Sequence, residues 1–127
     1  IKSSEDVYNM FVDKFRNYKK EALNIILLDS QNKIIKVIEE ISIGILNSSL
    51  IHPREVFAEA IKEKANSIIL VHNHPSGDVN PSKSDIETTK RLNEAGELLG
   101  IKVLDHVIIG KDKFFSFKDS KVYSVTN

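Results

Sequence analysis

The stretch Ala22-Leu23-Asn24-Ile25-Ile26-Leu27-Leu28 is apolar at every position but one. A strand with one wet face alternates apolar and polar side chains, so an almost unbroken apolar run of this length reads as a strand covered on both faces. Such a strand needs a sheet with helices packed on it, and the rest of the chain supplies the helical patterns. Ser4 reads as the N-cap of a helix to about residue 17, with Val7, Phe11, Phe15 and Tyr18 at helical spacing. After the turn Asp29-Ser30-Gln31-Asn32, residues 33 to 41 form a second strand. Residues 42 to 52 read as a loop ending at His52-Pro53, and Pro53 suits the first turn of a helix through about Lys64. Ser67 to Val71 is a short apolar strand ended by His72, and two prolines and a glycine shape the loop to Pro81. From Ser82 to about Leu99, the residues Ile86, Thr89, Leu92, Ala95 and Leu99 share one helical face, and Gly100 stops the helix. Residues 101 to 109 and 114 to 117 supply the last strands. The order αββαβαββ predicts an α/β domain with a mixed β-sheet and flanking helices.

At 127 residues the chain has the length of one domain with a real core, expected to span 1–127. Apolar residues at 41% and charged residues at 28% are the balance of a soluble globular protein, and no apolar run is long enough to span a bilayer. Eighteen basic and eighteen acidic side chains cancel, so no bulk field is available to hold DNA. There is no cysteine, which suits the cytoplasm and confines any bound metal to nitrogen and oxygen donors. Position 1 is neither an initiator methionine nor the start of a signal peptide, and is expected to mark a piece of a longer protein.

The chemistry concentrates in His72-Asn73-His74-Pro75-Ser76-Gly77-Asp78 and the following Pro81-Ser82-Lys83-Ser84-Asp85. In an extended backbone residues i and i+2 point to the same side, so two imidazoles at a strand end converge on one point. The Pro/Gly loop turns the chain back, and Asp85 in the first turn of the next helix can add a carboxylate oxygen. His72, His74 and Asp85 make a set of zinc ligands that leaves a fourth position open, as catalytic sites do. Ser82 and Asp85 also fit a capping box, which needs no metal. The two readings are compatible, because a carboxylate has two oxygens.

The pattern HxHx7SxxD formed by His72, His74, Ser82 and Asp85 resembles the JAMM signature of MPN-type (JAB-like) metalloproteases. The blocks Gly44-Ile45-Leu46-Asn47, His52-Pro53-Arg54-Glu55-Val56-Phe57, His72 to Asp78, Pro81-Ser82 and Val103-Leu104-Asp105-His106 are similar to the C-terminal domain of RadC proteins, with Ile45 where that family usually carries threonine. The resemblance covers nearly the whole chain. It implies a cytidine-deaminase-like fold, a zinc ion, and a glutamate near the first strand as general acid/base, which here matches Glu21, with Glu39 in reserve. It also gives Ser82 the role of oxyanion donor. The implied activity is zinc-dependent hydrolysis of a peptide or isopeptide bond in a peptide or protein substrate.

RadC proteins carry an association with DNA repair, and many have an N-terminal helical segment that this chain is expected to lack. The alternative is therefore a DNA-associated accessory domain with a vestigial or structural metal site, against which the neutral charge counts. A base deaminase would need cysteine ligands that are missing here. A nuclease of the HNH kind spreads those residues over a ββα unit, whereas His72-Asn73-His74 is contiguous. Asp105 shares a strand face with Ile101, Val103, Val107 and Ile109, so it is expected to be buried and to support a ligand histidine by hydrogen bonding. His106 points the other way.

Overall fold

The computed structural model describes residues 1–43 and 51–125. The Gly44-Ile45-Leu46-Asn47 block and most of the expected 42 to 52 loop lie outside the described residues. Helix α1 (Ser4–Phe15) precedes a hairpin of β1 (Ala22–Leu28) and β2 (Ile34–Ile43). Helix α2 (Pro53–Lys62) leads into β3 (Ser67–Asn73), and α3 (Lys83–Leu99) joins β3 to β4 (Lys102–Ile109). Two short strands follow, β5 (Lys113–Ser116) and β6 (Lys121–Ser124). The expected α/β class with a mixed sheet is what the chain adopts. The six strands pair in the order β2-β1-β3-β4-β5-β6, with β3 and β4 parallel and the other pairings antiparallel.

The two faces of β1 are divided between two cores. Leu23, Ile25 and Leu27 pack with Ile68 and Leu70 of β3 against Val56, Phe57 and Ala60 of α2 and Leu92 of α3. Ala22, Ile26 and Leu28 pack with Ile69, Val71 and Val107 against Val7, Tyr8, Phe11 and Phe15 of α1. Every residue of β1 and β3 is buried, as a strand without polar alternation requires. Among the described residues no helix is long and apolar enough to cross a membrane.

Four local details differ from expectation. Helix α1 is capped by Ser3 rather than Ser4, because Asp6 then falls at the third helical position and closes a reciprocal capping box. Strand β6 is not foreshadowed by periodicity, since it is a four-residue edge strand with little buried surface. In β4 the pairing runs Ile68 to Val103 and then Ile69 to Asp105, a bulge at Leu104 that puts Val103 in the α2/α3 core and Leu104 in the α1 core. Asp105 therefore does not share a face with Val103. Finally, α3 is rotated from its apolar reading. Its buried side is Asp85, Thr88, Thr89, Leu92 and Gly96, while Ile86 and Leu99 are exposed.

Candidate metal centre

Strand parity brings the chemical groups to one end of the α2/α3 face. On β3, His72 follows Ile68 and Leu70 at the same two-residue spacing, and His74 is the next position in that series. On β1, Leu23 lies opposite His72, so Glu21, two residues earlier and on the same face, falls beside His74. The start of β1 is held by Asn73, whose side-chain oxygen accepts from Ala22 N at 2.7 Å and whose amide donates to the Lys20 carbonyl at 3.1 Å. These two bonds clamp the backbone on both sides of Glu21.

The return loop is anchored as firmly. His74 N donates to the Ile109 carbonyl and Gly77 N to the His74 carbonyl, and Val79 is buried against Gly110, where an added Cβ would meet Val79 Cγ1 at 2.9 Å. Gly77 sits at φ +89, the left-handed region that glycine adopts without a Cβ penalty. The loop delivers Ser82 as N-cap of α3. Asp85 N donates to Ser82 Oγ at 3.0 Å and Ser82 N donates to Asp85 Oδ2 at 2.8 Å, so the capping box forms.

The same Asp85 carboxylate reaches both histidines. Its Oδ2 lies 3.1 Å from His74 Nε2 and its Oδ1 lies 3.6 Å from His72 Nε2. Glu21 approaches the same two nitrogens, at 3.9 Å from His72 and 3.8 Å from His74. Glu21, His72 and His74 each bring one donor atom within 4.8 Å of the others, a group that could hold a metal ion.

The donor chemistry fits such an ion. His72 is wholly buried, and its Nε2 finds no hydrogen-bond partner among the described residues. An orphaned buried nitrogen is costly unless something binds its lone pair. Donors around a tetrahedral zinc at bond lengths of about 2.0 to 2.2 Å stand roughly 3.3 to 3.5 Å apart, close to the separations of Asp85 from the two imidazoles.

Electrostatics divide the histidines. Burial, reinforced by neighbouring His106, holds His72 well below its ordinary pKa. Burial also acts on His74, but hydrogen bonds to Asp85 and to the Asp78 carbonyl outweigh it and raise His74. Asp85 is held far below the carboxylate range despite burial, by His74, His72 and the Ser82 backbone. Burial lowers His106 from 6.5 to about 4, so this ring is neutral at physiological pH.

The family model described as a RadC-like JAB domain matches residues 1–122. The chain belongs to the RadC-like JAB domain family. It is 56% identical over 123 residues to a UPF0758 protein of Caldanaerobacter subterraneus subsp. tengcongensis, covering 97% of this chain and 52% of the relative. It is 56% identical over 122 residues to a UPF0758 protein of Alkaliphilus metalliredigens, covering 96% and 52%. A UPF0758 protein of Staphylococcus haemolyticus is 53% identical over 127 residues, covering 100% and 55%. The chain thus spans about half the length of these relatives.

In this RadC-like domain His72, His74, Asp85 and Glu21 come together, with Ser82 attached to Asp85 through the cap. Glu39 does not join them: it pairs with Lys14 at 3.2 Å and is 64% exposed. Asp105 does not touch a histidine ring either. Its carboxylate accepts from His106 N, Ser116 Oγ and Lys118 N, which tie β4 to the turn after β5. The side chain that touches the His72 ring is His106, whose Nε2 lies 3.1 Å from His72 Nδ1. Thr89 and Asn73 also escape sequence reading. The signal for His106 was its parity: on a strand parallel to β3, the position opposite Asp105's face is the one that looks toward His72.

Proposed function

We propose that this RadC-like domain is a zinc-dependent hydrolase of the JAMM type that uses water to cleave a peptide or isopeptide bond. The observation that carries the reading is the buried, unpartnered Nε2 of His72, facing the Asp85 and Glu21 carboxylates across a few ångströms. His72, His74 and Asp85 would hold the ion. Asp85 suits the ligand role better than Glu21, because it is 2% exposed and locked by the capping box, whereas the Glu21 side chain is 31% exposed and open to water. When bound, zinc would supply Lewis acidity, acidifying water and polarising a carbonyl.

The remaining steps fall to the chain's own groups. Water's oxygen adds to the scissile carbonyl carbon, the C–N bond breaks, and the proton lost by water must reach the leaving nitrogen. Glu21, beside both histidines and partly solvated, accepts that proton at a carboxylate oxygen and returns it to the amine. Ser82 Oγ already accepts from Asp85 N, so its own hydrogen is free to donate to a developing oxyanion. The balanced charge of 18 basic and 18 acidic residues supports no role in holding DNA.

The test is metal content by elemental analysis, paired with a peptide and isopeptide cleavage screen of the zinc-loaded domain and its Glu21→Gln variant. About one zinc per chain with cleavage lost in the variant supports the reading. A protein that stays metal-free after incubation with zinc would end it.

A further inference from the structure

A closed chain of hydrogen bonds runs behind the histidine site. Thr89 Oγ1 donates to the Asp85 backbone carbonyl at 2.8 Å and lies 2.6 Å from His106 Nδ1. His106 Nε2 in turn lies 3.1 Å from His72 Nδ1. The chain begins and ends at the proposed metal site, on the backbone of Asp85 and on the ring of His72.

One assignment of hydrogens satisfies every contact in this chain. In it the one hydroxyl hydrogen of Thr89 goes to the Asp85 carbonyl, which can only accept. The 2.6 Å contact to His106 must then be made by a hydrogen on His106 Nδ1. A neutral imidazole with Nδ1–H has a lone pair on Nε2, which accepts from His72 Nδ1–H. His72 in turn is left with a lone pair on Nε2, the atom that faces Asp85 and Glu21. Both rings are fully buried, which disfavours the charged alternative in which two adjacent imidazoles carry an extra proton.

We infer that His106 is a positioning residue: it fixes the His72 ring in the tautomer and orientation that turn its Nε2 lone pair on the metal site. This rests on the proposed metal-binding reading and adds to it a residue outside the HxHx7SxxD pattern. Further contacts hold His106 itself. Phe117 stacks on its ring with centroids 4.7 Å apart and planes 9° from parallel, and Phe117 N donates to the His106 carbonyl at 3.0 Å. Asp105 acts at one remove, since it accepts from His106 N and anchors Lys118 N in the turn that carries Phe117. His74 is oriented independently, by Nδ1 donating to the Asp78 carbonyl at 2.7 Å. Each ring therefore has its own support.

Two measurements test this. In EDTA-treated, ¹⁵N-histidine-labelled protein, long-range ¹H–¹⁵N correlation reads the tautomers directly, and both His72 and His106 should carry hydrogen on Nδ1. A hydrogen on His72 Nε2 would overturn the inference, and this readout needs neither metal nor a mutant. Second, competition titration with Zn²⁺ should show affinity lowered about 10 to 100-fold in His106→Phe, which keeps the stack on Phe117 but removes the acceptor. His106→Gln, whose amide oxygen can accept from His72, should recover most of that loss. A His106→Phe variant that binds Zn²⁺ as tightly as wild type would equally overturn it. Wild-type protein that takes up no Zn²⁺ would defeat the functional reading, while the tautomer result would still decide the role of His106.

Discussion

The Asp85 oxygen that closes the capping box of α3 is the same oxygen that lies 3.1 Å from His74 Nε2. Helix initiation and site assembly are thus coupled through one side chain, with the second oxygen left toward His72 at 3.6 Å. Losing a cap costs about 0.5 to 2 kcal/mol of stability and leaves metal affinity alone. Ser82→Ala should show that behaviour in thermal denaturation and zinc titration. Asp85→Ala should lose zinc as well as the cap. Should Asp85→Ala keep its zinc, the residue is a cap only.

Glu21 and Glu39 make a matched comparison, because the fold puts one beside the histidines and the other in a surface pair with Lys14. Glu21→Gln should retain the fold and zinc, yet lower hydrolysis by about 10² to 10⁴-fold, the size of a general-base contribution. Glu39→Gln should change little. Loss of zinc in Glu21→Gln would instead make Glu21 a ligand.

The buried histidines set an acid limit on the metal-free protein. His72 and His106 have folded pKa values below the ordinary 6.5, so their contribution is present above that pH and is lost as pH falls. His74 is raised, so its contribution is complete below 6.5 and is lost only as pH rises through the raised value. Asp85 is lowered and loses its contribution only in strong acid. Between pH 6.5 and 4 the two buried histidines lose stability, His106 alone accounting for up to about 3 kcal/mol, and Asp105, raised by burial, offsets part of that loss as it protonates. Urea unfolding of EDTA-treated protein should therefore give a lower midpoint at pH 5 than at pH 7, and His106→Phe should flatten that difference. Equal midpoints in wild type would contradict the burial argument.

Gly96 tests the seating of α3, the helix that carries Asp85 and Thr89. A Cβ there would stand 2.4 Å from the Ile101 carbonyl and 3.4 Å from Phe57 Cζ. Alanine adds about 1 kcal/mol of helix propensity, but displacing backbone costs about 1 to 3 kcal/mol. Gly96→Ala should be net destabilised in chemical denaturation. At Gly77 nothing lies within 4 Å, so Gly77→Ala should cost only the left-handed strain of about 1 kcal/mol.

What sequence alone determined was local. The apolar run of β1, the Ser82 cap and Gly100, and the pair His72 and His74 at two-residue spacing are readable because each depends on backbone periodicity within a few residues. Asp85 was legible for the same reason, since its helix position follows from Ser82 three residues before it. Glu21 needed the family resemblance, because nothing near it in the chain says that β1 lies antiparallel to β3 with Leu23 opposite His72. Tertiary structure alone decided the rest. Which strand face meets α3 rather than α1 makes His106, and not Asp105, the neighbour of His72. The bulge at Leu104 breaks the alternation that would have put Val103 and Asp105 together. The same packing turns the polar side of α3 inward, against the histidines, and leaves Ile86 in solvent. Periodicity predicts that an element has two sides; only packing against the rest of the fold determines what each side touches.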